Sequence, residues 1–478
     1  MILLMENVVI VRLYNKRKNM KKRVGCLLLS LVFFLTGCVS EQNSQIPSDI
    51  IQESAAKEKT VEEVYTVKQP IFWGEITYEL PTSTVRAMVD RNGYEPDREK
   101  YVFFIGNNIS GEFRVVREGD WKVVYTGIIQ SSEAQGDSRY VNIGMGDFSD
   151  VTETGSYYIE QDQVGRSYSF TISENVNEPI FQGLIENMLM DLPATEDVTA
   201  ADICDVSFGM HSMMLALQCH GGLFEKDNNL VTKLLELAEW LMSFQDETNG
   251  SMFDDYEATA AFCGVLTQTS EAFGKYDADV AKDFTAATKS AWRWMEKNAH
   301  MANEYPSAQF YACAQFYKRD GSFQYKKSIE NYLQTRKKRI TEDKFAFYGS
   351  VIYLNTIKGT DRDLCTKIMQ ELVDETEEIS RTTKTNPYLI YSNEIEKNLQ
   401  KVLLICFVDY ITPSNEYAEI LENTLHYLLG RNETGERYLN EAGGWIASDI
   451  TAGKTMEWDG ILLFCLSDLL NEAADDVK

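Results

Sequence analysis

The sequence predicts two domains of different class, an all-β antiparallel sandwich followed by an all-α (α/α)6 toroid. Short segments of alternating apolar and polar residues, separated by Gly, Asp and Asn, recur over residues 66–173, as antiparallel sandwiches require. From about residue 176, apolar residues recur at spacings of three and four, which is the pattern of amphipathic helices. The chain has 478 residues, of which 44% are hydrophobic and 25% charged, a composition typical of a multidomain globular protein.

The first 37 residues have the character of an export signal. Their only acidic residue is Glu6, and the basic run Lys21-Lys22-Arg23 precedes the apolar segment 24–35. A basic start, a short apolar core and small residues before a cleavage point are typical of a signal peptide, whereas a membrane-spanning helix needs about 20 apolar residues. The segment Leu35-Thr36-Gly37-Cys38 resembles the lipobox of bacterial lipoproteins, which implies cleavage before Cys38 and attachment of lipid to its thiol.

We therefore expect an exported protein that is held on the extracellular side of the cell membrane by a lipid anchor alone. Residues 38–65, rich in Ser, Gln, Glu and Lys, are predicted to form a flexible tether. A secreted protein with an incidental Cys38 is the alternative, and Met1 and Met20 are both candidate start residues. The formal charge of −27 argues against nucleic acid as a partner.

The seven cysteines that follow Cys38 do not form a metal-binding pattern. They are odd in number and lie mostly in apolar helical segments, as Cys263 and Cys406 do, which favours buried free thiols over disulfides. The chain contains no CxxC or HxxxH motif, so we expect no structural zinc site and no cofactor. A structural Ca²⁺ site stays open, because Asp254-Asp255 lies in a turn between helices, although a solvated turn is the favoured interpretation.

The helical part is predicted to contain twelve helices joined by short connections. They cover residues 177–190, 208–219, 228–245, 257–273, 277–298, 305–319, 322–336, 343–357, 361–378, 392–411, 414–430 and 455–471. Such helices pack as antiparallel hairpins, and six hairpins closed into a ring give a toroid. An open helical solenoid is the alternative, and the absence of a fixed-period repeat favours the toroid.

Several segments resemble glycoside hydrolase family 9, in its class with an N-terminal immunoglobulin-like domain. The segments that carry this resemblance are Asn92-Gly-Tyr94-Glu-Pro96, Val124-Tyr-Thr-Gly127, Gly155-Ser-Tyr-Tyr158, Asp205-Val-Ser207, Leu428-Leu-Gly-Arg-Asn432 and Trp458-Asp-Gly-Ile-Leu-Leu-Phe464. The resemblance implies an immunoglobulin-like sandwich over 66–173 and a catalytic-domain toroid over 174–478. It also implies inverting, cellulase-like hydrolysis of a β-glucan or another plant polysaccharide.

Inverting hydrolysis needs one carboxyl group as acid and a second as base, about 6.5–9.5 Å apart. Laid on the family pattern without gaps, the two catalytic aspartates fall on Ser212 and Leu215, and the acid glutamate falls near Gly453. Neither Ser212 nor Leu215 has a carboxylate with which to activate water. Hydrolysis would therefore need relocated carboxyl groups.

The candidates for this relocated chemistry are Glu457 as the acid, with Asp205 or Asp459 as the base. The candidate substrate-binding residues are Tyr391, Trp445, Trp458 and Arg431, because sugar rings stack on aromatic faces. A non-catalytic glycan-binding protein and a structural partner in the cell envelope are the alternatives. An acidic pair across the toroid mouth would favour catalysis, whereas a filled toroid without a cleft would favour the structural role.

Overall fold

A computed structural model describes residues 85–106, 109–132, 143–224, 229–274, 278–357, 359–446 and 452–476. The predicted signal segment with Cys38, the predicted tether and the beginning of the predicted sandwich lie outside these ranges. Every helix within the described ranges is too short or too polar to span a bilayer.

The predicted sandwich is confirmed, although one strand pair, Gly93–Tyr94 with Phe170–Ile172, is parallel rather than antiparallel. Its strands are β1 (Ala87–Met88), β2 (Gly93–Tyr94), β3 (Tyr101–Ile105), β4 (Glu112–Arg117), β5 (Val123–Ile128), β6 (Gln130–Ser132), β7 (Ile143–Asp147), β8 (Gly155–Gln161), β9 (Gly165–Arg166) and β10 (Phe170–Ile172). One sheet has the order β1-β3-β7-β6, and the other has the order β2-β10-β8-β4-β5 with β9 beside β8. The core between them contains the fully buried Tyr94, Phe113 and Tyr157.

The twelve predicted helices are also confirmed. They are α1 (Glu178–Asn187), α2 (Ala200–Cys219), α3 (Asn229–Met242), α4 (Tyr256–Phe273), α5 (Ala278–Lys297), α6 (Pro306–Asp320), α7 (Phe323–Thr335), α8 (Lys344–Leu354), α9 (Arg362–Thr385), α10 (Ile395–Ile411), α11 (Asn415–Leu428) and α12 (Ala452–Asp476). The largest difference from prediction is the earlier start of α2. Thr199 and Asp202 form a reciprocal capping box there, which satisfies backbone N–H groups at the helix start.

The helices form two rings, with the even-numbered helices inside. Helices α2, α4, α6 and α8 pack side by side in order, α10 packs on α12, and α12 packs on α2. Helices α8 and α10 meet through the rings of Phe347 and Phe407, whose centroids are 6.4 Å apart. The close contact of α12 with α2 depends on Gly209 and Gly460, because a Cβ on Gly460 would lie 2.3 Å from the Gly209 carbonyl oxygen. These contacts close the toroid.

The two domains share a buried junction. Asp90 of the sandwich lies 2.7 Å from Nδ1 of His426 on α11, and both side chains are buried. Phe103 packs edge-on against Tyr388 with ring centroids 5.7 Å apart. Arg431 follows α11, is fully buried, and lies over the ring of Phe103 at 5.1 Å. Apolar and charged contacts therefore both join the sandwich to the toroid.

The seven cysteines within the described ranges form no disulfide bond with one another, and five of them are buried, as the apolar helical segments predicted. Burial raises the pKa of the Cys313 thiol to about 12, which keeps this thiol in its unreactive protonated form.

Candidate functional site

One end of the toroid carries a cluster of charged residues, because the inner helices begin there. Four of these helices contribute from their first two turns: Asp205 from α2, Lys344 from α8, Glu396 from α10, and Lys454 with Glu457 from α12. We call these five residues the mouth cluster. Sequence reasoning had selected Asp205 and Glu457, and the structure brings both to this place.

Glu457 lies at the centre of the mouth cluster and is only 3% exposed. One of its carboxylate oxygens accepts hydrogen bonds from Nζ of Lys344 at 2.7 Å and from Nζ of Lys454 at 2.8 Å. Lys344 also lies 3.5 Å from Asp205, and Lys454 lies 2.6 Å from Glu396. Two ammonium groups therefore converge on one oxygen of a buried carboxyl group, which supplies the partners that a buried charge requires.

The electrostatics of the flanking groups agree with this arrangement. Burial, together with the negative charge of Glu457, raises the pKa of Asp205 to about 6. Burial alone would lower the pKa of Lys454, but Glu457 and Glu396 outweigh it and raise that pKa. Lys454 therefore stays charged, and Asp205 is the group of the mouth cluster that exchanges a proton near neutral pH.

Beneath the mouth cluster, packed side chains of the described inner helices fill the toroid axis. The rings of Phe208 and Tyr348 stack with centroids 5.0 Å apart, and Lys344 lies 6.0 Å above Phe208. Ser212 is 2.6 Å from the Tyr348 hydroxyl, and His211 is 3.0 Å from a second tyrosine hydroxyl on α6. We call Phe208, His211, Ser212, Tyr311 and Tyr348 the axial layer. A cavity of about 60 Å³ lies beside Glu457, and Lys344 and Tyr348 also line it.

Comparison with known proteins shows which family this chain is similar to. A model of the cellulase N-terminal Ig-like domain matches residues 82–166, and a model of glycosyl hydrolase family 9 matches residues 223–449. The two matches follow one another in the order of the two domains. This chain belongs to glycoside hydrolase family 9.

Characterised proteins share this architecture at low sequence identity. Endoglucanase D of Acetivibrio thermocellus is 22% identical over 531 residues, covering 89% of this chain and 77% of that protein. A family 9 structure from Bacteroides ovatus has a TM-score of 0.65 at 14% identity, covering 81% of this chain and 99% of that one. A metagenome-derived family 9 endoglucanase has a TM-score of 0.66 at 15% identity, with coverages of 80% and 98%. The structural likeness shows the shared fold.

The positions that the sequence resemblance assigns to the family's catalytic aspartates lie in the interior of this family 9 member. Ser212 is fully buried and belongs to the axial layer, and Leu215, one turn further along α2, is 2% exposed. His211 next to them is also buried, and burial lowers its pKa to about 3, so the imidazole is neutral. A neutral imidazole that contacts Tyr311 is a packed core group rather than a base that faces solvent.

The position that the sequence resemblance assigns to the family's acid glutamate is crowded. Gly453 lies in the first turn of α12 against the start of α2. A Cβ on Gly453 would lie 2.6 Å from Oδ1 and 3.0 Å from Cα of Asp202. The Oδ1 atom lies at the end of a side chain and can move aside, whereas the backbone at Cα would have to yield by a few tenths of an ångström.

Asp459 does not pair with Glu457 across the mouth. The two residues are two positions apart on α12, so their side chains point to different sides of the helix. Asp459 is buried and accepts a hydrogen bond from Nε1 of Trp445 at 2.8 Å. Trp445 packs against Trp458 with ring centroids 4.9 Å apart. The prediction of Asp459 as a base at the mouth is therefore wrong, because its carboxylate orients Trp445 instead.

The structure places two other predicted binding residues at different sites. Tyr391 is half-buried beside Lys401, whose Nζ lies 5.6 Å above its ring, in a cavity of about 130 Å³ next to the mouth. Arg431, by contrast, is fully buried at the domain junction, where it is closed off from any ligand at the mouth. The prediction of Arg431 as a substrate contact is wrong, because the packing of the sandwich on the toroid covers it.

The turn before α4 has a structural role. Asp255 is the N-cap of α4 and accepts a hydrogen bond from the backbone N–H of Ala258, and Asp254 accepts hydrogen bonds from Asn249 and Ser251. Within the described part of the chain, no group of three or more His, Cys, Asp or Glu side chains has a geometry suited to a metal ion.

Sequence reasoning missed the two lysines of the mouth cluster. A signal for them exists, because Lys344 and Lys454 lie in the first turns of α8 and α12. Cations are unfavourable at the positive end of a helix dipole, so lysines at two such positions indicate a carboxylate that compensates them.

Proposed function

We propose that this protein is a non-hydrolytic member of glycoside hydrolase family 9 that binds a β-glucan or related polysaccharide at the outer face of the cell. Its lipid anchor at Cys38 would keep it at the membrane. The proposal has two parts, loss of hydrolysis and retention of polysaccharide binding, and different observations support them.

The contact of Glu457 with two lysines carries the first part. A general acid must donate a proton from its carboxyl oxygen to the leaving group, whereas the contacting oxygen of Glu457 already accepts hydrogen bonds from two lysines. Asp205 does not complete an inverting pair with it. Nζ of Lys344 bridges their contacting oxygens, at 3.5 Å from Asp205 and 2.7 Å from Glu457. An inverting pair needs water and sugar in that place.

Family relationship supports the second part, since relatives of this chain are named endoglucanases. A structural role in the cell envelope is the second candidate. The small cavity favours it, because about 60 Å³ is far below the roughly 300–1,000 Å³ of typical ligand pockets.

Reducing-sugar release and affinity electrophoresis on the same protein separate these functions. The chain from Glu41 onward would be incubated with hydroxyethylcellulose, mixed-linkage β-glucan and xyloglucan, beside its Glu457→Gln variant and an active endoglucanase. We expect no sugar release from either form, and retarded migration of both forms in at least one polysaccharide gel.

Two results would contradict the proposal. Sugar release that disappears in Glu457→Gln would establish Glu457 as a working acid and the protein as an enzyme. Absence of both release and retardation would remove the binding part and leave the structural role.

A further inference from the structure

The larger sheet of the sandwich domain carries a tryptophan in solvent. Trp121 is 67% exposed and lies in the turn between β4 and β5. A backbone hydrogen bond of 2.9 Å from Arg117 N–H to Lys122 O closes this turn. Because burial of a large apolar side chain is favourable, an isolated exposed tryptophan on a structured turn is a candidate contact residue.

The backbone of Trp121 is unfavourable as well. Its φ angle is +59°, in the left-handed region that bulky residues rarely adopt and that glycine adopts without cost. Backbone strain of this kind clusters at binding and catalytic sites. The turn therefore presents a tryptophan at a position where stability alone would favour glycine.

Neighbouring side chains hold this tryptophan in a layered arrangement. The Arg166 guanidinium lies 3.4 Å above the ring of Tyr158 and 5.6 Å from the ring of Trp121. Glu118 fixes the guanidinium with a hydrogen bond of 2.9 Å and also accepts the hydroxyl hydrogen bond of Ser169. We call these five residues the aromatic platform. Rings and polar groups held in place before binding lose little conformational entropy when a ligand arrives.

We propose that the aromatic platform binds the pyranose rings of a neutral polysaccharide chain, an inference that rests on the proposed polysaccharide-binding function. The apolar C–H face of a pyranose would stack on Trp121, as apolar ligand faces do on aromatic rings. Arg166 would donate hydrogen bonds to the ring hydroxyls, and Glu118 and Ser169 would accept them. This site lies on the sandwich, so it requires no opening at the filled mouth of the toroid.

The charges of the platform favour a neutral glycan over other ligands. Arg166 is already neutralised by Glu118, so an acidic polysaccharide gains little from it. The exposed apolar surface extends from Trp121 to Val123, which is 45% exposed, and the charged residues Asp120 and Lys122 lie beside it. A stable protein interface buries about 800 Å² on each partner, more than this small patch offers.

Replacement of Trp121 by glycine tests the site and separates binding from stability. The Trp121→Gly variant of the chain from Glu41 onward would be compared with wild type in gels that contain hydroxyethylcellulose or mixed-linkage β-glucan. We expect its dissociation constant to rise at least about tenfold, the effect of losing one good stacking contact. Its melting temperature should stay equal or rise, since glycine relieves the positive φ. Phe323→Ala, which removes a 76% exposed aromatic ring on α7, is the matched control and should bind as wild type does.

Each of the other outcomes contradicts a specific part of the two proposals. Unchanged binding by Trp121→Gly would refute the platform and leave the proposed function intact. A lower melting temperature together with weaker binding would assign Trp121 a structural role instead. Failure of the wild type to bind either glucan would refute both the platform and the binding part of the proposed function. Sugar release by a wild type whose binding depends on Trp121 would refute only the loss of hydrolysis.

Discussion

The domain junction and the toroid mouth both bury a carboxylate, but they hold it with different partners. At the junction, Asp90 is compensated by rigid donors. The backbone N–H groups of Asn92 and Gly93 lie 2.6 and 3.0 Å from it, and Nδ1 of His426 donates from the other domain at 2.7 Å. Burial lowers the pKa of His426, so the donor is a neutral imidazole that cannot move to solvent.

At the mouth, Glu457 is compensated by two long and mobile side chains. The side chains of Lys344 and Lys454 are 29% and 17% exposed, so each keeps an end near water. A lysine that loses its partner can extend into solvent, whereas a backbone N–H group cannot. We therefore expect removal of the buried carboxylate to lower the stability of the fold more at the junction than at the mouth.

The largest effect is therefore expected from Asp90→Asn. The change leaves buried N–H donors facing an amide that cannot accept from all of them, and breaking a buried charged contact costs about 3–5 kcal/mol. Urea unfolding followed by far-UV circular dichroism measures this loss. Asp283→Asn on the exposed surface of α5 is the control and should change stability by less than about 0.5 kcal/mol. An equal effect of the two variants would remove the contrast between junction and mouth.

A smaller loss is expected from Glu457→Gln. The two lysines would be left without their shared carboxylate, but both can reach solvent, so we expect a destabilisation of about 2 kcal/mol. Glu396→Gln removes the carboxylate that is 51% exposed and should cost less than about 0.5 kcal/mol. Adding Lys344→Met to Glu457→Gln should recover part of the loss, as a double-mutant cycle would measure. A Glu457→Gln variant less stable than Asp90→Asn would reverse the comparison.

The smallest effect depends on pH and has the opposite sign. The pKa of Asp205 is raised from 3.8 in the free side chain to about 6 in the folded protein. Between these values the folded state keeps a proton that the unfolded chain has lost, so stability falls as pH rises through this window. Asp205→Asn should therefore be more stable than wild type by about 1–2 kcal/mol at pH 7.5 and equal to it near pH 4. Chemical unfolding at both pH values tests this, and a variant that is less stable at pH 7.5 would show that the contact with Lys344 outweighs burial.

Periodicity predicted the fold well, because each helix and strand is a local pattern in the sequence. The candidate site could be predicted only in part. Asp205 and Glu457 were found through their positions in the family segments, and both lie at the mouth. Arg431 was misplaced because its burial depends on how the sandwich docks onto the toroid, which no local pattern encodes.

The contacts of the lysines at the mouth and the backbone of Trp121 also could not be predicted from local sequence patterns. The place of Lys344 at a helix start indicates a compensating carboxylate, but only the folded ring shows that this carboxylate belongs to Glu457. Trp121 lies within a strand-like segment, and its positive φ is a property of the closed turn rather than of residue order. Contacts between distant segments and backbone strain both require coordinates.

The crowding at Gly453 has a consequence for the engineering of this chain. A glutamate at this position would contact Asp202, whose carboxylate takes part in the capping box at the start of α2. An acid engineered there would therefore disturb the cap of a long inner helix. Compensating substitutions at the start of α2 would be needed beside it, so the site is reached by coordinated changes rather than by one.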